Sequence, residues 1–487
     1  MSVAPSRCSS KTAELAATAV LAACVAWLLF GPIYSAGFWI ERPNEGWNAI
    51  HAVRAFDGSL YPPEGSLLIN NYLPIWPYLI GSLAHLGADP IIAGRIVALA
   101  AFAATGLGLF ALLRAFGMTA GASAIGALSF MLMTCGLLSE YVGLAEPQML
   151  ADALSVWGAV ALVKSRYPPQ AMAAAAITVL ALFTKQIVIG LPIACFFWIA
   201  VYRRQLLWPW VGTLLALACL SLLALFLAYG QNLVVNLLFP RILSFTRLMT
   251  NLALISKVAV PLIFFAAVCY RKQGRSEAAS FAWLAILSGV FVIVLFGSAR
   301  GVSINIVFDL AIGCSIGMGV AWHQLSMAGY STRRANLTRA LVVAALLLRV
   351  GLGTPYATIA FPLDQRVRAD LKEASATGAA LHDQLVKVSD PVICEALSIC
   401  IWAGHLSEAD LWKLHYETTL TRSVDVPSLL KRIAEGRFGA VVLFGNSNPV
   451  EDRDLPGLGA TLASGYGSPL VRGDHGLSLF LPKQRSH

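Results

Sequence analysis

The sequence predicts an all-α polytopic membrane protein that ends in a small α/β domain. Three observations carry this reading. Of 487 residues, 57% are hydrophobic and only 13% charged, about half the charged share of an ordinary soluble domain, ~25%. Apolar runs long enough, or nearly long enough, to cross a bilayer lie at about 13–34, 91–113, 118–138, 147–163, 171–183, 187–202, 207–229, 252–270, 278–297, 304–322 and 340–356, eleven in all. From about Ala357 the composition turns polar, and short β-like runs replace the long apolar ones.

The first run follows Arg7 and Lys11. Its apolar length of about 22 residues exceeds a signal-peptide core of about 7–15, so it reads as a retained first span. Glu41–Pro77 is then the first outer loop, polar, acidic and aromatic at once. Its last part, Leu73–Leu86, is apolar but only 14 residues long, short of the ~20 needed to cross. Charge decides its placement. If this segment lies flat in the interface, with Tyr72, Trp76 and Tyr78 in the aromatic belt, the basic groups alternate consistently. Arg114, then Lys164 and Arg166, Arg203 and Arg204, Arg271, Lys272 and Arg275, and finally Arg333, Arg334 and Arg339 all fall on the side of Arg7 and Lys11. The N-terminus is then cytoplasmic and the C-terminus outside. Ala171–Val201 is nearly continuous in apolar character but too long for one crossing, so it reads as two short spans. Lys185 sits at their junction, just below the outer surface.

In the C-terminal part, Pro391–Glu395 and Phe438–Phe444 read as strands, Leu477–Leu481 as a weaker third, and Pro427–Glu435 as a helix between them. This makes a domain over 357–487, after a membrane domain over 1–356. Cys394 and Cys400 form the one close cysteine pair; they read as two unpaired small hydrophobes, or as a disulfide if the segment is exported.

Candidate site residues gather in the outer loops. The first loop holds Glu41, Glu45, Asp57 and Glu64, with His51 and Arg54 between them. Helical phase puts Glu45 and Asn48 on one face and leaves Trp47 and Ile50 to rest on the membrane. The second outer loop, Ser139–Gln148, adds Glu140 and Glu146, and Asp152 lies just inside the fourth span, where an acid faces a cavity or a partner. Lys185, Arg95 and Arg300 are cations at the same level. They serve either as salt-bridge partners for these acids or as holders of a phosphate at the outer leaflet. Arg241, Arg247 and Lys257 are not distinguishable from interfacial anchors.

Several classes are excluded. The net charge of +9 is spread between apolar runs rather than along one face, which speaks against nucleic acid. There is no P-loop, no G-x-S-x-G elbow, no H-E-x-x-H and no C-x-x-C, and His51, His85 and His323 read as isolated polar residues.

The acidic loop PNEGWNAIHAVRAFDGSLYPP, the following NNYLPIWPYLIGSLAHLGADPIIAGR, then EYVGLAEPQMLADAL, LALFTKQIVIGLP and GVSINIVFDLAIG together resemble the GT-C superfamily. These are integral-membrane glycosyltransferases that use polyprenyl-phosphate sugars, similar to bacterial aminoarabinose transferases and protein O-mannosyltransferases. The resemblance implies a GT-C-like bundle of about eleven transmembrane helices with interfacial helices in the first outer loop. It implies inverting transfer of a hexose or pentose to a lipid, glycan or protein acceptor hydroxyl, at the outer face of a bacterial inner membrane. Glu45 is then the catalytic base. Asp57, Glu140, Glu146 and Asp152 orient the acceptor or support a divalent cation (Mg or Mn), and Lys185 with Arg95 or Arg300 binds the donor phosphate. Relatives often carry Asp-Glu where this chain has Asn44-Glu45, which leaves Asp57 and Glu41 as alternatives for the base. A transporter or flippase of a lipid-linked sugar, and a non-catalytic assembly protein, are the competing readings. The sequence shows no repeat between its halves, and its acids cluster at one face rather than at mid-membrane, both unlike a transporter.

Overall fold

A computed structural model describes residues 7–42, 44–272, 276–327, 332–389, 391–411, 414, 425–444, 457–468 and 477–483. The helices of the membrane body are α1 (Arg7–Ser35), α2 (Glu45–Arg54), α3 (Ile75–His85), α4 (Pro90–Ala115), α5 (Ala120–Leu137), α6 (Gln148–Lys164), α7 (Pro168–Thr184), α8 (Gly190–Tyr202), α9 (Arg204–Tyr229), α10 (Gln231–Leu237), α11 (Phe245–Ala253), α12 (Ala259–Lys272), α13 (Glu277–Phe296), α14 (Phe308–Met327) and α15 (Thr332–Gly353). The C-terminal part adds α16 (Tyr356–Ala360), α17 (Gln365–Leu385), β1 (Val392–Cys394), α18 (Leu397–Trp402), α19 (Val426–Ala434), β2 (Ala440–Phe444), α20 (Leu458–Gly465) and β3 (Leu477–Phe480). Arg275, one of the charges used to orient the chain, lies outside the described residues.

The chain is a mostly helical multi-span membrane protein. Among the described residues, eight helices are long and apolar enough to cross a bilayer. Every one of the eleven apolar runs is helical; α11, a 3-10 turn and α12 together make one 26-residue stretch, Phe245–Tyr270, whereas α6 and α7 have only 17 residues each and α8 has 13. At 1.5 Å per residue these reach about 20–25 Å, less than the ~30 Å hydrocarbon core. The break between α7 and α8 falls at Lys185–Ile189, where Lys185 is extended.

Local chemistry sets the turns. Asp89 caps α4 by accepting from the Ile91 and Ile92 amides, with Pro90 as its first residue, and Thr119 caps α5 through the Ala122 amide. The centre of the body is α14, nearly all of it buried, whereas the apolar window of α9 holds no fully buried residue. α13 and α14 approach so closely that a Cβ on Gly289 would lie 2.6 Å from the Leu310 backbone. Small residues permit such approach where apolar lipid supplies no drive for association.

The C-terminal sheet has the order β1-β2-β3, with β1 parallel to β2 and β3 antiparallel to it. Register pairs Val392 with Ala440 and Val442 with Leu479. Alternation then sorts the side chains: Val392, Cys394, Val442 and Leu479 pack with Leu381 and Ile399, while Ile393, Val441 and Leu443 pack with Leu429, Ile433 and Leu462. Both faces are covered, as a sheet with a parallel pair requires.

Two expectations about the first loop are corrected. Ile50 is buried inside the protein, and Trp47 donates its indole N–H to Asp410 (3.1 Å) in place of resting on a membrane surface. Trp76 is 1% exposed, packed with Ala52 and Ile80, so it belongs to the interior rather than to an aromatic belt.

Candidate active site

The first loop starts with an unusual backbone. Asn44 has φ +69°, the one non-glycine residue with positive φ among those described, and it turns the chain into α2. Left-handed backbone is least costly for Gly and for short polar residues such as Asn. Behind it, Glu45 and Arg95 are both fully buried. Arg95 Nε lies 2.9 Å and 3.1 Å from the two carboxylate oxygens of Glu45 and one Nη 2.5 Å from Oε2. The remaining guanidinium donors go to the carbonyls of Ala36, Phe38 and Ile40. Glu45 Oε1 also accepts from the Ala145 amide at 2.9 Å. The pair therefore pins α1's exit, α2, α4 and the second outer loop together, and neither partner lines either of the two cavities that meet at Asn44 and Tyr141.

A second buried ion pair lies nearby. Lys185 Nζ binds Glu146 Oε1, which also accepts from the Tyr72 hydroxyl (3.2 Å). Glu146 Oε2 accepts from the Gln148 amide at 2.7 Å. The ammonium stands 5.5 Å from the Tyr72 ring centroid and 5.8 Å from that of Tyr141, the latter bonded to Ser303 (2.8 Å). Burial, with Glu146 close by, pushes the Tyr72 hydroxyl well above its usual range. Asp152 is buried with Gln148 Nε2 at 2.9 Å.

The other predicted residues sit apart. Asp57 is exposed and closes a turn onto Ser59. Glu140 is exposed and Arg300 is exposed. Among the described residues no group of three or more His, Cys, Asp or Glu side chains gathers that could hold a metal ion.

Two cavities meet at Asn44 and Tyr141, which line both. One, of about 320 Å³, lies between the outer loops and the C-terminal sheet; Glu41, Tyr72, Arg241, Asn305, Glu395 and Asp410 give it its polar wall. The other, of about 710 Å³, runs between the end of α1, the second outer loop and α16–α17, and carries Arg42, Glu140 and Asp370 among apolar side chains.

Glu41 is the first-loop carboxylate that reaches the smaller cavity. Its Oε2 accepts from the amides of Ser398 (2.9 Å) and Ile399 (3.3 Å), and Oε1 from the Ser398 hydroxyl (3.0 Å). Burial raises its pKa from 4.5 to about 8; the bonds from Ser398 and Ile399 oppose this, and the charge of Glu45 adds to it. His51 is driven the other way, to about 3, by burial and by Arg54.

Arg241, Glu395 and Asp410 were not singled out by sequence. Arg241 stands in a loop with no local pattern, and the two acids lie over 300 positions from the first loop. One cysteine expectation is corrected: Cys394 and Cys400 are disulfide-bonded, because the turn from β1 into α18 brings their Cα atoms to 6.6 Å.

The fold is shared with solved structures over nearly the whole chain. The crystal structure of ArnT from Cupriavidus metallidurans bound to undecaprenyl phosphate matches with a TM-score of 0.61 at 14% identity, over 96% of this chain and 99% of that one. The apo form gives 0.62 at 15%, over 96% and 98%. An Archaeoglobus fulgidus oligosaccharyltransferase tethered to an acceptor peptide gives 0.52 at 11%, over 97% and 74%. No protein-family model and no curated protein sequence matches the chain.

Proposed function

We propose that this protein is a membrane glycosyltransferase that moves a sugar from a polyprenyl-phosphate donor to an acceptor hydroxyl, with inversion, at the outer face of a bacterial inner membrane. The observation that carries the proposal is the smaller cavity, where Glu41, Arg241, Tyr72 and Tyr141 line one space beneath the C-terminal sheet, with Glu395 and Asp410 beside them. The near-full-length likeness to a fold crystallised with undecaprenyl phosphate supports the donor class. The outward orientation of 357–487 follows from the charge pattern of the inner loops, with all eleven apolar helices crossing and α3 lying in the interface. The Cys394–Cys400 bridge is in keeping with an oxidising compartment.

In this mechanism the prenyl chain lies against the spans and Arg241 takes the phosphate, while Lys185, paired with Glu146, holds the wall behind Tyr72 and Tyr141. Arg300 stands beside Gly301 at the rim. Glu41 removes the proton of the acceptor hydroxyl as its oxygen attacks the anomeric carbon. The carbon–oxygen bond to phosphate breaks, and polyprenyl phosphate leaves as a stable anion. Glu41 suits the role better than Glu45 because it lines the cavity, whereas Glu45 is fully buried against Arg95. Glu45 and Arg95 then hold the loop, while Glu140 and Asp370 face the larger cavity on the acceptor side. Asp57 and Asp152 lie off both cavities.

The test is transfer of radiolabelled sugar from an undecaprenyl-phosphate donor by purified protein in detergent. Activity that falls at least about a hundredfold in Glu41→Gln and Arg241→Ala supports the assignment. Movement of the lipid-linked sugar with its glycosidic bond intact would refute it.

A further inference from the structure

Glu41 and the groups that hold it are separated by 357 positions, yet their contact is fixed from several directions. Gly46 of α2 lies directly under the turn: a Cβ there would be 2.3 Å from the Ser398 nitrogen and 2.5 Å from the Leu397 carbonyl carbon. Trp39, two residues before Glu41, stacks on Trp402 of α18 at 5.5 Å with an 11° interplanar angle, and its amide donates to Ser375 Oγ of α17 (3.2 Å). The disulfide ties the last residue of β1 to Cys400, two positions beyond Ser398. Ser398 is thus clamped covalently to the sheet and by packing to the first loop. Its hydroxyl and amide grip both carboxylate oxygens of a cavity-lining acid.

We propose that Ser398 is a positioning residue for glycosyl transfer, that it holds the Glu41 carboxylate at the cavity wall, and that the Cys394–Cys400 bridge keeps it there. The C-terminal segment is on this view part of the catalytic machinery, and transfer is sensitive to dithiol reductants. The inference rests on Glu41 acting as the base. Bonds donated to a carboxylate favour its charged form, so losing the Ser398 hydroxyl raises the proton affinity of Glu41 further. The other charged or titratable groups around it are Arg42 on its own segment, Glu45 on α2, His382 on α17 across Trp39, and Arg241, Glu395 and Asp410 around the cavity. The Ser398 hydroxyl donates to Oε1, and the amides of Ser398 and Ile399 to Oε2. Reduction consumes one dithiol per bridge: the S–S bond breaks, Cys394 and Cys400 become thiols, and the reagent closes to its own disulfide.

The experiment compares wild type, Ser398→Ala and Ser398→Thr by the pH profile of kcat/KM for transfer. It also follows the titration of the Glu41 carboxyl directly, by infrared difference against Glu41→Gln. Ser398→Ala is expected to move the ascending limb and the infrared midpoint up together by about one pH unit, with about tenfold less activity on that limb. Ser398→Thr restores both. An unchanged profile with an unchanged infrared midpoint overturns the proposal, as does an equal loss at every pH. The infrared midpoint needs no turnover, so a shift there with Glu41→Gln fully active would discard Glu41 as base while leaving the contact with Ser398 established. Dithiothreitol is expected to lower wild-type transfer about tenfold and to leave the Cys394→Ser, Cys400→Ser double variant, already slow, unaffected. Full activity of the reduced wild type overturns the role given to the bridge.

Discussion

Replacing Glu45 by Gln separates a structural from a chemical role for the most deeply buried acid in the first loop. The substitution removes one charge of an ion pair and strands the other. Arg95 keeps its bonds to Ala36, Phe38 and Ile40, but one of the two oxygens that accept its three carboxylate bonds becomes a donor. A single amide oxygen must then serve both the guanidinium and the Ala145 amide. Removing one partner of a buried pair costs about 3–5 kcal/mol, because the other charge stays desolvated. With an unfolding entropy of about 2.1 cal/mol/K per residue, a chain of 487 residues has a total of about 1 kcal/mol/K, so the midpoint falls by about 3–5 °C. The assay is thermal unfolding in detergent, with Glu45→Leu combined with Arg95→Met as the companion. That double variant carries no unpaired charge and should recover most of the loss. An unchanged midpoint in Glu45→Gln together with abolished transfer would refute the reasoning and return Glu45 to the chemistry.

Three further outcomes are expected. The folded chain holds the Glu41 proton up to about pH 8 while the unfolded chain releases it near 4.5. Stability should therefore fall as pH rises between these values and level off above them; midpoints from pH 5 to 9 in wild type and Glu41→Gln check this, and parallel curves would contradict it. Opening the Cys394–Cys400 bridge, whose sequence separation is 6, should cost about 2 kcal/mol. Alkylation of the unfolded, unreduced wild type should leave those two cysteines unmodified by mass. Gly46→Ala should lower transfer about tenfold or more by pushing Ser398 off Glu41, whereas Gly37→Ala, with open space around it, should not; equal activities would dismiss the close packing as unimportant.

The helices and strands were legible because each rests on a local pattern. Apolar length marks the spans, and the short runs around β1, β2 and β3 alternate over a covered sheet. The site was legible only in part. Burial of Glu45 with Arg95 was one of two readings open to an acid and a cation at the same depth, and no local feature decides between them. Trp47 was set on the membrane because helical phase cannot reveal Asp410, which arrives from 363 positions away. Arg241 was indistinguishable from an anchor for the same reason: its significance comes from the cavity it faces. Asn44 was readable as a departure in residue type but not as a left-handed turn shared by two cavities.

The position of β2 in the sheet bears on how the protein is made. β2 is the central strand, and it and the turn after β1 form the wall over Glu41. Synthesis proceeds at ~5–20 residues per second, so the 357 positions between Glu41 and Ser398 correspond to about 20–70 s. During that interval Glu41 and Gly46 are already present beside an inserted bundle, with no wall above them. The nascent first loop must stay hydrated and open for most of the time the chain takes to emerge. The cavity is therefore completed only after the membrane body has been synthesised, when the C-terminal wall arrives over Glu41.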